Sequence, residues 1–600
     1  MRKPRLLAAV LALAVAPGAA ADSEPERLHD LFEQYRAWQH EEFPAMAMAR
    51  GDYSHADRVS DIGLDAIDRR HGERQLFLTG LRSIDPKLLG AEDRLNWELF
   101  ELLLLRSIEG HRYRMFLAPI SGRYGPHQRV PQMGERVRFR DYRDYDNYLK
   151  RLAQVPRLVS QNIELLEAGL AEGRTAPQVT LEGLPAQFDA ILADGGGLEA
   201  LAEPLNDMSA FITDRQRQEI RRRFDEEVFP AVRGAMRRLR DFVVDTYIPG
   251  CRETIAATAL PDGEAYYAYR VRVATTTEMT PLEIHELGLR EVARIKQEML
   301  EVIRSSDFMQ RYRVAEEGEG GRMFRAFLSY LRTDSRFYHE SEQQLLAGYR
   351  DICKQIDPWL PRLFGTLPRL TYGVRKIPDF MAPTQTTAYY QSGDMNNAEP
   401  GYFYANTYAL DQRPKYEMIP LALHEAVPGH HLQIALAKEL EGLPDFRKHS
   451  GFNAFGEGWA LYAERLGLEM GLFEDPYDDF GRLLYEMWRA CRLVVDTGMH
   501  AFGWSRDQAI EFMLTNTALA RLNIINEVDR YISWPGQACA YKIGELEIRR
   551  LRQRAEERLG PRFDIRAFHD LVLGAGSIPL TVLERRVEYW INSQLIRPYD

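Results

Sequence analysis

Leu421-Ala-Leu-His424-Glu425-Ala-Val-Pro428-Gly429-His430-His431-Leu-Gln433 is the stretch on which the reading of this chain turns. In a helical H-E-x-x-H motif, two histidines four residues apart share one face and bind zinc, and the Glu between them serves as general base. The stretch opens that way at His424-Glu425. It then departs, with Pro428 in the fifth position and the next His two residues late. Four residues along an α-helix give about 6 Å of rise and about 40° of rotation, which lets two imidazoles reach one ion. Six residues give about 9 Å and about 240°; seven give about 10.5 Å and a return to nearly the same face. Zinc–nitrogen bonds are only about 2.0–2.1 Å long, so neither His430 nor His431 can partner His424 on a straight helix.

The same residues supply a remedy. Pro428 has no N–H to give the His424 carbonyl, and its ring clashes with that carbonyl. Gly429 can take positive φ without penalty. Together they predict a bulge or kink that ejects about two residues and returns His430 to the place a regular helix gives its fifth position. Such bulges concentrate at functional sites. A third ligand is expected on a following helix, and Glu457, between Gly456 and Gly458 at the start of a helical run, is the candidate. Glu464, two turns on, reads as a solvated helix residue; orienting a metal-bound His is the sharper alternative. His424, His430 and Glu457 would hold one Zn2+ ion with a fourth position left for water, and Glu425 would take a proton from that water.

Composition narrows the setting. Arg2, Lys3 and Arg5, an apolar run from Leu6 to Ala16, and Ala19-Ala20-Ala21 make residues 1–21 a secretory signal peptide, with the mature chain starting at Asp22. No Cys follows the apolar run, so no lipid or membrane anchor is expected, and the mature chain should be exported, most simply to a bacterial periplasm. Its loss removes three positive charges from a chain whose formal net charge is already -11. Such an acidic protein is a poor partner for nucleic acid or an anionic membrane surface. Cys251, Cys353, Cys491 and Cys539 lie far apart with no C-x-x-C pair. That excludes a thiolate zinc site and leaves disulfides and buried thiols equally open.

The periodicity is helical over most of the chain. Asp93 to Leu103 repeats apolar residues at three- and four-residue spacing, with Trp97 and Phe100 read as core. Tyr145 to Ala171 is read as helix, and Thr280-Pro281-Leu282-Glu283 is a capping box opening another, with His285 beside its apolar face. Glu316 to Gly321 reads as a flexible connection. Thr386 to Tyr390 and Gly401 to Thr407 are β-prone and separated by turn chemistry, so a small hairpin or sheet is expected beside the motif. The fold class is mainly α with a small β element. The division proposed is an N-terminal helical part over 22–250 and a C-terminal catalytic part over 251–600.

These residues resemble a bacterial family catalogued as domain of unknown function 885. The likeness is carried by His424 to Gln433, Glu457-Gly-Trp-Ala-Leu-Tyr462, Arg492 to His500 and Trp534 to Gly544, and it covers most of the mature chain. The family in turn resembles gluzincin peptidases such as thimet oligopeptidase and angiotensin-converting enzyme. That likeness implies a two-lobed helical body with zinc at the floor of a deep channel that admits oligopeptides. It favours His430 as the second ligand, with His431 the second choice and otherwise placed at the substrate. It implies a substrate-pairing strand at Tyr402, Tyr404 and Asn406. It also implies a phenolic donor to the oxyanion from Tyr541, with Tyr531 as the alternative. Asp496 and His500, four apart on a helix, could set a carboxylate to orient an imidazole toward the cleft. Arg492 and Lys542 are candidate receivers of a substrate carboxylate, with solvated or ion-paired roles the simpler reading.

The function expected is therefore an exported zinc-dependent peptidase acting on oligopeptides. The competing readings are a periplasmic peptide-binding or scaffold protein without catalysis, and a zinc amidase acting on peptidoglycan fragments.

Overall fold

Thr280 and Glu283 form the capping box that their spacing predicts, and a helix runs from it over Pro281–Ser305. The Glu283 carboxylate accepts from the Thr280 N–H at 2.8 Å, and the Thr280 hydroxyl accepts from the Glu283 N–H at 3.3 Å. The computed structural model describes residues 23–135, 137–312, 321–379, 382, 385–395, 398–449 and 451–596. Both the signal-peptide reading and the Glu316 to Gly320 connection lie outside them. The described residues are mainly α-helical with one small sheet, and no helix among them is long and apolar enough to cross a membrane. They group into two compact units. One runs to Ile255 and adds Ala259–Gly263 and Pro444–Phe446; the other holds Ala256–Thr258, Glu264–Leu443 and the chain from Arg447.

In the first unit, the single helix read over Tyr145 to Ala171 is two, Tyr142–Leu152 and Val155–Glu172. Pro156 falls in the first turn of the second, where its missing N–H costs nothing. Tyr145, Leu149, Leu152, Val159 and Leu166 pack with Val232 and Leu239 of the helix Phe229–Phe242 in one apolar core. Phe100 is fully buried, edge-on to Phe32 at 5.2 Å, and the Trp97 indole N–H donates to the Leu81 carbonyl at 2.9 Å, so both are structural.

The second unit carries, in chain order, α1 (Pro281–Ser305), β1 (Tyr372–Lys376), β2 (Ala388–Gln391), β3 (Gly401–Ala405), α2 (Met418–Glu425), α3 (His430–Glu439), α4 (Asn453–Leu466), α5 (Pro476–Ala501), α6 (Arg521–Ser533) and α7 (Ala540–Leu559). The strand order is β1-β3-β2, with β1 parallel and β2 antiparallel to β3. The β2–β3 pair is the expected hairpin; β1 carried no clear strand signal. Central α5 is buried nearly all round, as a helix in the middle of a large core must be. Two glycine contacts set the helix packing. A Cβ at Gly288 of α1 would lie 2.8 Å from the Leu493 Cβ of α5. On α4 and α7, Gly458 and Gly544 face each other, and a Cβ on Gly544 would lie 1.9 Å from the Ala454 carbonyl oxygen. His285 hydrogen-bonds the Thr497 hydroxyl at 2.8 Å, a packed histidine as expected.

Candidate metal centre

At Pro428-Gly429 the helix does not bulge; it stops. α2 ends at Glu425 and α3 begins at His430, with a cis Val427–Pro428 peptide between them. The Ala426 N–H still closes onto the Ala422 carbonyl at 2.9 Å, and the His431 N–H restarts the ladder on the Ala426 carbonyl at 3.1 Å. The Pro428 carbonyl accepts from the Trp459 indole N–H at 2.8 Å, which ties the break to α4. Gly429 does not take the positive φ expected of it; its φ is -75°. Glycine is needed there for room. A Cβ would sit 1.9 Å from the His424 carbonyl oxygen and 2.4 Å from that of Leu423.

The break brings His424, His430 and Glu457 together. One donor atom from each lies within 4.8 Å of the others. Glu457 Oε2 is 3.6 Å from His424 Nε2 and 3.5 Å from His430 Nε2, and the two imidazoles stand edge to face at 4.7 Å. The His424 Nδ1 bonds Glu464 Oε1 at 2.7 Å. Glu464 is only 2 % exposed, so the solvated reading of it is corrected: it holds the ring so that Nε2 faces the cluster. Burial opposes charge on His424, but hydrogen bonds to Glu457 and Glu464 push it up to about 9. Burial likewise opposes charge on Glu457, yet its bonds to His424 and His430 hold it well below the usual carboxylate range. The field of the cluster thus favours positive charge between the three donors.

A cavity of about 370 Å³ opens on this cluster. Its walls include Glu425, residues Thr386 to Tyr390 in and before β2, Trp488, Arg489 and Arg492 of α5, Glu527 and Arg530 of α6, and Tyr541 of α7. Tyr541 lies over the Arg492 guanidinium at 4.3 Å; burial first, then the charge of Glu457, raises its phenol, so it stays a hydrogen-bond donor. Arg492 also donates to Tyr531 at 2.8 Å and to Glu527 at 3.0 Å, and Arg530 donates to the same Glu527 oxygen at 2.9 Å. Arg489 Nε, Arg492 Nη1 and Arg530 Nε are buried without a hydrogen-bond partner, so the cationic wall keeps unused donors.

Several sequence-derived candidates are placed elsewhere. His431 points into the sheet: its Nδ1 bonds the Tyr390 hydroxyl at 2.9 Å, Tyr372 packs on its ring at 4.6 Å, and burial pushes it down to about 4. Tyr531 braces Arg492 and donates to Glu527 at 2.7 Å, outside the cavity lining. The His500 ring accepts from the Ala257 N–H at 3.1 Å and donates to the Tyr531 carbonyl at 3.0 Å, while Asp496 accepts from Tyr267 and from the Gly536 N–H. Lys542 is fully buried among Glu486, Glu545 and Glu291. Tyr402, Tyr404 and Asn406 belong to or follow β3, the middle strand, paired on both sides. Tyr402 accepts from Arg375 at 2.6 Å, Tyr404 stacks on Tyr389, and Asn406 donates to the Ala382 carbonyl at 2.8 Å. The strand at the cavity is β2. Arg489, Glu527 and Arg530 were missed, although Arg489 stands three residues before Arg492 and Glu527-Arg530-Tyr531 repeats the same spacing on α6. The four cysteines are free and buried.

Fold and site define a mainly helical protein with a partly buried His–His–Glu cluster in a cavity that has arginines on one wall. The chain belongs to the family described as bacterial protein of unknown function (DUF885), whose model matches residues 44–587. No curated protein matches it significantly. It is similar to a crystal structure from Colwellia psychrerythraea, provisionally described as a lipoprotein, at 27% identity and a TM-score of 0.83, covering 95% of this chain and 100% of that one. It also shares its fold with a protein of unknown function from Shewanella oneidensis, again provisionally described as a lipoprotein. There the identity is 18% and the TM-score 0.73, over 93% of this chain and 99% of that one.

Proposed function

We propose that this protein is an exported zinc-dependent peptidase that hydrolyses oligopeptides. The observation that carries the reading is the convergence of His424 Nε2, His430 Nε2 and Glu457 Oε2 within 4.8 Å, beside Glu425 and in one cavity. Two imidazoles and one carboxylate are the donor set of catalytic zinc sites, which leave a coordination position open. The motif's likeness to gluzincin peptidases points the same way. Zinc bound there would supply Lewis acidity toward a scissile carbonyl.

The chain's own residues divide the remaining work. Glu425 accepts the proton of the attacking water and passes it to the leaving amine. Tyr541 donates a hydrogen bond to the oxyanion as charge develops on it. Arg489, Arg492 and Arg530, which line the cavity, supply positive charge toward a substrate carboxylate. β2 pairs with β3 on one edge only among the described strands, and it offers its backbone to an extended substrate. Export is supported by the signal-peptide pattern and by structural neighbours described as lipoproteins.

The deciding experiment pairs metal analysis with a mixed peptide library. The purified chain should carry one zinc, and wild type should cleave peptides that Glu425→Gln leaves intact. A chain that binds peptides but carries no zinc and cleaves none would sink this reading in favour of a binding or scaffold protein. Cleavage of peptidoglycan fragments alone would select an amidase.

A further inference from the structure

A second, larger cavity of about 700 Å³ lies wholly within the first unit. It falls well inside the roughly 300–1,000 Å³ of small-molecule sites. Its walls are mostly apolar and include Phe43, Met48, Ile62, Phe116, Val130 and Leu165. Met48 and Met133 give it adaptable surface.

Arg151, on the helix Tyr142–Leu152, is the one fully sequestered charge on that lining that no carboxylate balances. Its residue is 3 % exposed, and no ion pair reaches it among the described residues. Its guanidinium donates only to neutral groups, the Met133 carbonyl at 2.8 Å, the Ala56 carbonyl at 3.4 Å and the Met48 sulphur. Its Nε has no partner at all. Arg70, the other buried arginine on the lining, is answered by Glu42 at 3.3 Å, and Arg58 has Asp57 at 3.8 Å. A buried cation without a counter-charge is costly.

We infer that this cavity binds a long-chain fatty acid, its carboxylate paired with Arg151 and its alkyl chain laid along the apolar walls. One unanswered guanidinium matches one monoanionic headgroup, and a mostly apolar lining around about 700 Å³ matches an alkyl chain. This site is independent of the metal cluster, and its test does not depend on hydrolysis.

Palmitate is titrated calorimetrically into the full mature chain, with 1-hexadecanol and a palmitoyl lysophospholipid in parallel. Saturable binding of one palmitate is expected, tighter than 1-hexadecanol by roughly ten- to hundredfold, the factor that one charge-assisted hydrogen-bonded pair carries. Arg151→Met keeps the side-chain volume and should erase that preference. If Arg151→Met does not fold, Ile62→Trp, which fills the cavity, decides: loss of palmitate binding supports the site, and unchanged binding overturns it. Absence of saturable binding, equal affinity for the alcohol, or preference for the lysophospholipid would each overturn the fatty-acid assignment.

Discussion

His424 shows how one side chain is set up for the ligand role proposed for it. Its two ring nitrogens face two carboxylates, Glu464 on Nδ1 and Glu457 on Nε2, and the shorter contact, 2.7 Å to Glu464, fixes the ring. Glu464→Gln keeps the shape but removes the charge, and zinc affinity should fall by about 10–100-fold, read by competition with a chromophoric chelator. Glu425→Gln should leave zinc stoichiometry intact while peptide cleavage drops by about 10²–10⁴-fold, the range of a positioned general base. Loss of zinc in that variant would show Glu425 to be a ligand instead. His430→Ala should lose the metal, whereas His431→Ala should keep it and lose stability, because its ring packs between Tyr372 and Tyr390. Sequence distinguished these two neighbours only weakly. Their difference rests on the turn at Gly429, and no spacing rule reports where a broken helix restarts.

At the scale of the element, the candidate metal site is built by interruption. α2 and α3 are separate helices, and what lets His430 stand beside His424 is a close approach of Gly429 to two carbonyl oxygens. Pro428 announced the break in the sequence, because a proline there cannot continue the ladder. Gly429 does not take positive φ; the contact that demands glycine is with carbonyls five and six residues upstream, which no helical spacing rule reports. Gly429→Ala should therefore be far worse than an exposed Gly→Ala change. A Cβ at 1.9 Å from an oxygen must displace one of the two helices, so the variant should lose stoichiometric zinc and unfold at least about 1–3 kcal/mol earlier in denaturant. Retained zinc with wild-type stability would show that the break does not depend on this residue. The sheet offers the same lesson. β2 and β3 were legible from their β-prone residues, but which of them sits at the edge was not. That depends on β1, which has no alternation to announce it and inserts beside β3.

Across the whole molecule, helical periodicity and capping residues made the mainly α class readable, and the fate of the charges was what stayed hidden. α5 buries Arg482, Glu486, Arg489, Arg492, Asp496 and His500 along one helix. Read locally, such residues belong on a solvated face; Arg482 finds Asp479 at 2.7 Å on α5 itself, while packing brings Glu464 of α4 to Arg489 at 3.5 Å and Lys542 of α7 to Glu486 at 2.7 Å. Two acids in this core are not rescued by a cation. Burial pushes Asp496 up to about 7 against hydrogen bonds from Tyr267 and Gly536, and it pushes Glu417 up to about 7 against the Arg413 charge. Below the ordinary carboxylate range both states of the chain hold these protons, so the native state pays nothing. Between about pH 4 and pH 7 the unfolded chain releases protons that the folded chain keeps, so stability should fall as pH rises through that window. Each unit of raised pKa corresponds to about 1.4 kcal/mol, so each group contributes on the order of a few kcal/mol at most. Asp496→Asn keeps an oxygen acceptor for Tyr267 and Gly536 and removes the ionisation. Urea unfolding in chelator, from pH 4.5 to 8, should then show a shallower decline for Asp496→Asn and a higher midpoint than wild type at pH 8. An unchanged slope would mean that Asp496 ionises in the folded protein as it does in water, and the burial argument for this helix would fail.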